Sequence, residues 1–480
     1  MLPERSLRPP DSRDSSFSWA PSANDGMLSA CRHAPEVMCA GVHTIATTCC
    51  HSVRIRGGGT HMTRRPARRP HAEFMQVWEE GYVGTTETFV SMHMQGVAVL
   101  DGGTLRRPDG SLDRRAITAW AESATTAVPY AHLRLQRSFL GLVPPAWVPA
   151  GIRIDDHVRF GTETALSDDN LRTLIGWEEG PLDADKPLWR LQVTPLTDGR
   201  VALGILMHHA GGDALRTLTF LRALTTSKAD AAPDPGEPLF RDERPAGPIE
   251  LPLLAWTTWW RASPDMRGRV RAYLRKPALR RARRVAARVS RRLRDRPARA
   301  VTTHSGHRTL DASIVQQTAT ELDGTMNDLV VAAAIHAGRA QGGPVRVRVP
   351  VLRKPTEGSR NRVADAAIHG DRSGSSADLV ATVKRQLADA RAGTHTPPVP
   401  AREIGYATLV PWVSRTRFLL GASLDEVIVL PASLPHDEQS MFAILYDGRL
   451  TLTATAQQST PLPPLLDTLA TFLTASPSGR

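Results

Sequence analysis

Two adjacent histidines stand where an apolar run meets a glycine-rich turn. His208 and His209 follow the run 201–206 and precede Gly211-Gly212-Asp213. An imidazole titrates near neutral pH, so a histidine in such a place can take up and release a proton during a reaction. Successive residues at a strand end point to opposite faces, so only one of the two histidines can face a given cavity. The stretch indicates general acid–base chemistry by one histidine at the mouth of a cleft.

The pattern around the histidines predicts the elements that position them. The run 201–206 follows a turn signal at 198–199 and is typical of a buried strand, and residues 190–195 are expected to form a hairpin with it. After the turn, leucines recur every third residue from 215 to 224, which predicts a helix with a wide buried face. Asp213 begins this helix, where its carboxylate can cap the helix or order the turn.

The rest of the chain mixes helical and strand patterns on both sides of a polar stretch, which predicts two α/β sandwich-like domains. Helices are expected at 113–127, 168–177, from 311, and at 327–339, 376–392 and 464–474. Strands are expected at 97–100, 133–137, 147–148, within 152–160, and at 345–350, 426–431, 441–446 and 449–456. The predicted units are a disordered extension 1–70, a first domain 71–226, a linker with a basic crossover segment 227–300, and a second domain 301–480.

Positive charge is concentrated in one segment of the chain. Residues 261–300 hold sixteen Lys and Arg against two acidic residues, although the net charge of the whole chain is only +12. This uneven distribution argues against a general nucleic-acid partner. Tryptophans at 256, 259 and 260 beside the arginines instead predict peripheral contact of residues 256–299 with a membrane surface. The alternatives are a solvated helix that crosses between domains and, less favoured, an RNA-binding segment.

The cysteines and the N-terminal region bear on location and on the true start of the chain. All four cysteines lie in the first fifty residues, so no disulfide links the body of the protein, as in a reducing cytoplasm. Cys49-Cys50-His51 lacks the spaced pairs of metal sites, and we predict no metal. No apolar run reaches the roughly 18 residues of a membrane-spanning helix. The glycine run before Met62 is what a translated ribosome-binding site would give, which predicts a start near Met62.

Several blocks of the sequence resemble, in order and spacing, the bacterial wax ester synthase/diacylglycerol acyltransferase family. They span roughly residues 75–475 and are 92–93 with 97–102, 147–148 with 155–159, PLDADKPLW at 181–189, His208-His209 with Asp213, 325–328, and 349–351 with Arg353 and 361–363. The histidine block matches the HHxxxDG motif of CoA-dependent acyltransferases and condensation domains. The departures are Ala214 for the motif glycine, Leu352 for the usual serine, and residues 406–411 and 454–457, which lack the family pattern.

The resemblance implies a fold and a reaction. The fold would be two chloramphenicol-acetyltransferase-like domains that form a pseudo-dimer, with the active site between them. The reaction would be acyl transfer from acyl-CoA, the co-substrate, to diacylglycerol or a fatty alcohol, without a further cofactor. Because the departures concentrate in the second half of the chain, two alternatives stay open. One is a condensation-type acyltransferase of specialised metabolism with a smaller alcohol or amine acceptor, and the other is a catalytically silent lipid-binding paralogue.

The resemblance also implies roles for individual residues. His209 would be the general base, His208 would face away as scaffold, and Asp213 would hold the loop through an arginine. Asn327 could donate to the oxyanion, whereas the alternative is that Asn327 and Asp328 only cap the helix they begin. The residues Pro187, Leu188 and Trp189 would pack the wall of the substrate site. We expect Ala214 to be tolerated if its backbone φ is negative.

Overall fold

The computed structural model describes residues 68–75, 79, 83, 93–180, 182–237, 239–262, 303–340, 342–352, 363–370, 374–394, 401–431, 437–457 and 459–475. All of them belong to one compact unit, Pro66–Arg480. The cysteines, Met62 and the basic residues 263–302 lie outside the described residues, as do Pro181, Arg353 and 361–362. Within the described part, no helix combines the length and the apolar character that crossing a bilayer demands.

The first half of the chain supplies nine strands and four helices within the described ranges. The strands are β1 (Arg69–His71), β2 (Glu73–Phe74), β3 (His93–Leu100), β4 (Leu133–Gln136), β5 (Ala146–Pro149), β6 (Val158–Phe160), β7 (Trp189–Pro195), β8 (Val201–His208) and β9 (Glu243–Pro245). The helices are α1 (Arg114–Thr126), α2 (Leu171–Leu174), α3 (Ala214–Leu224) and α4 (Glu250–Ala262).

The second half supplies eight strands and four helices within those ranges. The strands are β10 (Thr303–Asp311), β11 (Val345–Leu352), β12 (Val363–Gly370), β13 (Arg402–Pro411), β14 (Phe418–Leu419), β15 (Ala422–Leu430), β16 (Gln439–Tyr446) and β17 (Arg449–Gln457). The helices are α5 (Ala312–Glu321), α6 (Met326–Arg339), α7 (Ser376–Ala392) and α8 (Leu462–Thr474). The predicted mixture of strands and helices in both halves is confirmed.

The segment predicted as a helix at 168–177 is mostly something else. Residues Asp168–Asn170 form a 3₁₀ turn, and α2 is a single helical turn. The side chain of Ser167 makes no capping bond. The carboxylate of Asp168 instead accepts hydrogen bonds from the backbone N and Nδ1 of His307 in β10, at 3.0 and 2.9 Å. A contact with the second half therefore takes the acidic group at the start of the expected helix.

Two six-stranded mixed sheets form the frame of the molecule. Their strand orders are β14-β15-β3-β8-β7-β6 and β10-β17-β16-β13-β11-β12. The first sheet is completed by the second half of the chain, since β15 pairs antiparallel with β3 and places Ile428 opposite Val97. The chain order alone therefore does not separate the two halves, because the second half contributes β14 and β15 to the sheet that carries the histidines.

Strand β16 joins the cores of the two halves. Met441 and Ala443 belong to the core that α6 and α8 form with the second sheet. The alternate residues Phe442 and Ile444 belong instead to the core under the first sheet. Because side chains of a strand alternate between its two faces, one strand contributes to both cores. Met441 and Leu445 from one face of β16, and Phe442 from the other, also line a cavity that residues of both halves bound.

The histidine hairpin is fixed by a close backbone approach. Strands β7 and β8 pair antiparallel with Trp189 opposite Met207, as the sequence predicted. A Cβ at Gly204 would lie 1.9 Å from the backbone oxygen of Leu174, so only glycine lets α2 pack against the middle of β8. The strand that ends at His208 is thereby held between α2 on one face and α3 on the other.

Candidate active site

The turn after β8 separates the two histidines into different environments. His208 keeps an extended backbone, with φ −72° and ψ 131°, and residues His209–Gly211 form a 3₁₀ turn. The Nδ1 atom of His208 accepts a hydrogen bond from the backbone N of Ala210 at 3.0 Å. The backbone N of His208 donates to the oxygen of Leu188 at 3.0 Å. The first histidine is therefore fixed at both its backbone and its ring.

His208 lies in the interior and is held neutral. Its residue is only 5% exposed, and its ring makes an edge contact with the ring of His93, the two centroids being 5.5 Å apart. Burial, together with the neighbouring imidazoles of His93 and His209, lowers the pKa of His208 well below its ordinary value. A buried neutral imidazole that bonds the next turn suits a scaffold position. His208 is absent from the cavity lining among the described residues, and its scaffold role stays a prediction.

Asp213 begins helix α3 and closes the turn. Its Oδ1 accepts a hydrogen bond from the backbone N of Arg216 at 3.2 Å, which is an N-cap. Gly212 leaves room for the start of α3, because a Cβ there would lie 2.7 Å from the Cβ of Arg216, which rotation of that side chain cannot move. Ala214 is the first residue of α3 and is not among the residues with positive φ, so its methyl group sits in an ordinary helical backbone. The predicted arginine partner of Asp213 stays a prediction.

A large cavity lies in front of His209, with walls from both halves of the chain. Its volume is about 840 Å³. The first half contributes Met94, His209, Asp213, Ala214 and Leu215. The second half contributes residues of α5, α6, β11, β12, α7, β13, β15 and β16, among them Asn327, Leu352, Asp365, Arg391, Tyr406 and Leu409. The lining is mostly apolar with a few polar groups, which is typical of small-molecule and lipid sites.

The leucines predicted along α3 divide between core and cavity. Leu218, Leu221 and Leu224 are buried, whereas Leu215 is 43% exposed and lines the cavity. Three residues advance 300° around a helix, so leucines at this spacing do not all lie on one face. The first of them, Leu215, lies away from the core. One leucine of the predicted core row thus becomes part of the site.

The pair Asn327 and Asp328 serves two different purposes. Asp328 forms a capping box with Thr325, whose backbone N donates to Asp328 Oδ2 at 2.9 Å, and Asp328 is buried. Asn327 lines the cavity, and its Oδ1 accepts a hydrogen bond from the backbone N of Leu409 at 3.1 Å. With the amide oxygen engaged in this way, the amide nitrogen is the group that remains for donation to another partner.

The segment Pro187–Trp189 packs against the turn that carries His209. Leu188 shares a small core with Ala210 and Trp147. The ring of Trp189 stacks on His157 with centroids 4.2 Å apart, and its Nε1 donates to the oxygen of Ala131 at 3.1 Å. Pro187, Leu188 and Trp189 are absent from the cavity lining among the described residues. The structure therefore gives them a positioning place, and any direct contact with substrate stays a prediction.

Sequence reasoning missed a polar cluster on the second wall, the part of the cavity lining that the second half of the chain supplies. The Tyr406 hydroxyl donates to Asp365 Oδ2 at 2.8 Å, and both residues line the cavity. The guanidinium of Arg348 lies over the Tyr406 ring, 3.9 Å from its centroid. Tyr406 and Asp365 belong to β13 and β12, for which no strand was predicted. The alternation of Arg346 and Arg348 in β11 was the available signal that a polar face runs beside the apolar one.

The chain belongs to the wax ester synthase/diacylglycerol acyltransferase catalytic domain family, whose model matches residues 82–330, over half of the chain. Two Mycobacterium tuberculosis proteins, provisionally named as diacylglycerol O-acyltransferases, are 34% identical over 170 residues. That match covers 34% of this chain and 34% of each relative, so the chain matches about a third of the length of these relatives.

Solved structures share the fold. The wax ester synthase/diacylglycerol acyltransferase of Marinobacter aquaeolei VT8 aligns with 83% of this chain and 98% of its own, with a TM-score of 0.50 and 17% identity. Polyketide synthase associated protein 5 of M. tuberculosis aligns with 85% and 98%, at TM-score 0.51 and 16% identity. A condensation domain of the calcium-dependent antibiotic synthetase aligns with 85% and 99%, at TM-score 0.52 and 14% identity.

The comparisons confirm the predicted family and the fold. The mixed α/β architecture of two sheets matches both the acyltransferase and condensation-domain structures. At such low identities the structural matches carry the fold alone. The roles of His209, His208, Asp213, Asn327 and Asp328 stay predictions that rest on the geometry described above.

Proposed function

We propose that the protein is an acyl-CoA-dependent O-acyltransferase that transfers a long-chain acyl group to diacylglycerol or a fatty alcohol. The observation that carries the proposal is the position of His209 on an apolar cavity of about 840 Å³ bounded by both halves of the chain. A cavity of this size and character suits acyl chains, and a histidine at its wall suits proton transfer to and from a hydroxyl.

In the proposed reaction His209 acts as general base. It takes the proton of the acceptor hydroxyl while the oxygen attacks the thioester carbon, and a C–O bond forms. The tetrahedral intermediate then collapses, the C–S bond breaks, and the CoA thiolate receives the proton from His209. No further cofactor is needed for this balance, and we propose none. His208, neutral and bonded to the turn, keeps the neighbouring ring in place.

We propose that Asn327 stabilises the oxyanion of the tetrahedral intermediate. Its amide oxygen is engaged by the backbone N of Leu409, which fixes the side-chain orientation and leaves the amide nitrogen as donor. The N-terminal end of α6 adds the positive end of a helix dipole at the same place. The apolar lining excludes water, which would otherwise hydrolyse the thioester.

The identity of the acceptor depends on the second wall. Leu352 and Tyr406–Pro411, which depart from the family pattern, supply part of the cavity lining. The apolar members of this set, among them Leu352, Leu409 and Val410, favour a lipid acceptor over a small alcohol or amine. We also propose a cytoplasmic enzyme at a membrane surface, since a diacylglycerol or fatty alcohol resides in membranes, with the predicted contact through 256–299.

The test compares the full chain with His209→Ala, using radiolabelled palmitoyl-CoA and a panel of diacylglycerol, hexadecanol, a short alcohol and an amine. The matched control is His336→Ala, an exposed histidine on α6 outside the cavity lining. We expect triacylglycerol or wax ester from the wild type and the control, and about a thousandfold less from His209→Ala. Product with only the short acceptors, or no product at all, would contradict the proposal.

A further inference from the structure

The second wall of the cavity carries a carboxylate that the proposed acyl transfer does not use. Asp365 lies on β12, and alternate residues of a strand face opposite sides. Val363 and Asp365 line the cavity, whereas Ala366 and Ile368 belong to the core of the second half. The strand therefore turns an acidic side chain toward a space whose lining is mostly apolar. Because Asp365 is exposed, a molecule that enters the cavity can reach its carboxylate.

The neighbour of Asp365 on this wall is Tyr406, which is held at its backbone, its ring and its hydroxyl. The hydroxyl donates to Asp365 Oδ2 at 2.8 Å, and the backbone N donates to the Oγ of Ser440 at 3.2 Å. The guanidinium of Arg348 lies 3.9 Å from the centroid of the ring. The phenol is therefore fixed before a ligand enters, and its hydrogen bond orients the carboxylate of Asp365.

Arg348 is in turn anchored by two carboxylates of the second half. Its Nε lies 3.0 Å from Glu403 Oε1, and its Nη2 pairs with Asp437, whose side chain is fully buried. Strands β11 and β13 pair in parallel and set Arg348 opposite Tyr406. The arginine is thereby tied to the frame of the second half, and it serves the cavity through the ring that it covers.

The hydrogen bond between Tyr406 and Asp365 determines which groups the pair can bind. A phenol has one proton, and Tyr406 donates it to Asp365. A carboxylate only accepts, and it offers about four acceptor positions, of which this bond takes one. A further partner of the pair must therefore supply a proton, as a hydroxyl or an amine does. Ester carbonyls, such as those of diacylglycerol, only accept and do not fit.

The pair lies at a distance from the proposed oxyanion donor. Leu409, whose backbone N donates to Asn327, follows Tyr406 by three residues in β13. At a rise of about 3.3 Å per residue, their Cα atoms are roughly 10 Å apart. Asp365 would therefore contact a part of the acceptor that is several bonds away from the hydroxyl at His209. A cavity of about 840 Å³ has room for both contacts at once.

We propose that Asp365, oriented by Tyr406, binds a second hydrogen-bond donor on the acceptor. The acceptor is then a long-chain alcohol with a hydroxyl or amine remote from the hydroxyl that receives the acyl group. The inference rests on the proposed function, because it assumes that the reacting hydroxyl lies at His209. Diacylglycerol and simple fatty alcohols lack the second donor, so they are turned over less efficiently. Asp365 determines specificity and takes no part in the transfer.

The experiment compares acceptors of equal chain length, with palmitoyl-CoA as the acyl donor. They are decanol and three decanols that carry a hydroxyl, an amine or a carboxylate at the other end of the chain. The carboxylate would suit Arg391, an exposed residue that also lines the cavity. The variants are Asp365→Ala and Tyr406→Phe. The matched control is Asp389→Ala, at an exposed position of α7 that is absent from the cavity lining among the described residues.

We expect the wild type to form ester from the diol and the amino alcohol with a kcat/KM per hydroxyl about tenfold above that for decanol. The carboxylate-bearing alcohol should be no better than decanol. Asp365→Ala should abolish the preference, because the acceptor oxygens are gone. Tyr406→Phe should reduce it about threefold, because the carboxylate remains but is no longer oriented. Asp389→Ala should keep the full preference.

Equal efficiency of the wild type with the diol and with decanol would overturn the inference, as would a preference that survives in Asp365→Ala. A preference for the carboxylate-bearing alcohol would overturn it too, because Arg391 would then read the chain end. A rise in the KM for palmitoyl-CoA in Asp365→Ala would assign the carboxylate to the acyl donor, which also contradicts the inference.

Calorimetric titration with the diol and with decanol, without acyl-CoA, separates this inference from the proposed function. Binding of the diol about tenfold tighter than decanol, with the difference lost in Asp365→Ala, supports the inference even if no ester forms. In that case only the proposed function is refuted. Ester formation without any preference in turnover or binding refutes only the inference, and the absence of both refutes both.

Discussion

The two walls of the central cavity differ in how they are built and in how closely they follow the family. The first wall carries His209, Asp213 and Leu215, which lie within one strand, turn and helix of the first half. The second wall is assembled from separate elements and includes Leu352 and Tyr406, which lie outside the residues that the family model matches. Under the proposed function, proton transfer and acceptor selection would therefore belong to different halves of the chain.

The physical basis of this difference is the range of the contacts involved. The first wall is positioned by short-range bonds, such as the Asp213 cap of α3 and the bond between His208 and Ala210. The second wall depends on long-range contacts, such as that between Asn327 and Leu409. A substitution on the second wall can therefore change the shape of the cavity without disturbing the histidine turn.

Among the substitutions that compare the two walls, the largest effect is expected from Asn327→Asp, which tests whether the second wall also takes part in the chemistry. An aspartate keeps the oxygen that accepts from Leu409 but lacks the amide donor. We expect kcat to fall about a hundredfold, roughly 2.7 kcal/mol, because the oxyanion loses its donor. Steady-state kinetics with palmitoyl-CoA measures this, with the thermal midpoint unchanged as control. An active Asn327→Asp variant would confine the second wall to substrate binding.

A smaller effect, on the free energy of unfolding, is expected from His208→Gln, which tests the turn that carries the first wall. We expect a loss of about 1–3 kcal/mol in the free energy of unfolding at pH 8, because the bond to Ala210 is disturbed. The depressed pKa of His208 makes the folded state bind fewer protons than the unfolded state, so wild-type stability falls as pH drops below about 6.5.

The variant lacks this titration, so the stability difference should shrink between pH 8 and pH 5. Urea unfolding at both pH values measures it. Other histidines with lowered pKa, such as His132 and His157, leave part of the pH dependence of stability in both proteins. A difference that is constant with pH would show that His208 is not the neutral scaffold described here.

The smallest effect is expected from Leu352→Ser, which tests whether the second wall selects the acceptor. Leu352 is 67% exposed and lines the cavity, so we expect a change of only a few-fold in the ratio of diacylglycerol to hexadecanol turnover. Ala214→Gly on the first wall is the matched control and should leave the ratio unchanged, since Ala214 sits in ordinary helical backbone. If Ala214→Gly alone restores turnover to an inactive protein, the methyl group is not tolerated.

Sequence patterns predicted the elements near the histidines better than those of the second wall. The β7–β8 hairpin and α3 follow from strong apolar periodicity and clear turn residues. Strand β12 was not predicted because it is an edge strand rich in alanine, which has weak strand preference. Strand β13 was not predicted because Gly405, with φ +138°, interrupts it near a shift in the pairing with β11. The helix expected at 168–177 was wrong, because Asp168 bonds His307 across the molecule.

By itself the sequence determined the family, the strand, turn and helix around the histidines, and the fact that the two rings face different environments. These follow from spacing over a few residues, where backbone geometry decides which side a group takes. Only the tertiary structure decided that β15 completes the first sheet and that Asn327 and Tyr406 line the same cavity as His209. Those arrangements depend on packing between segments far apart in the chain, which no local pattern encodes.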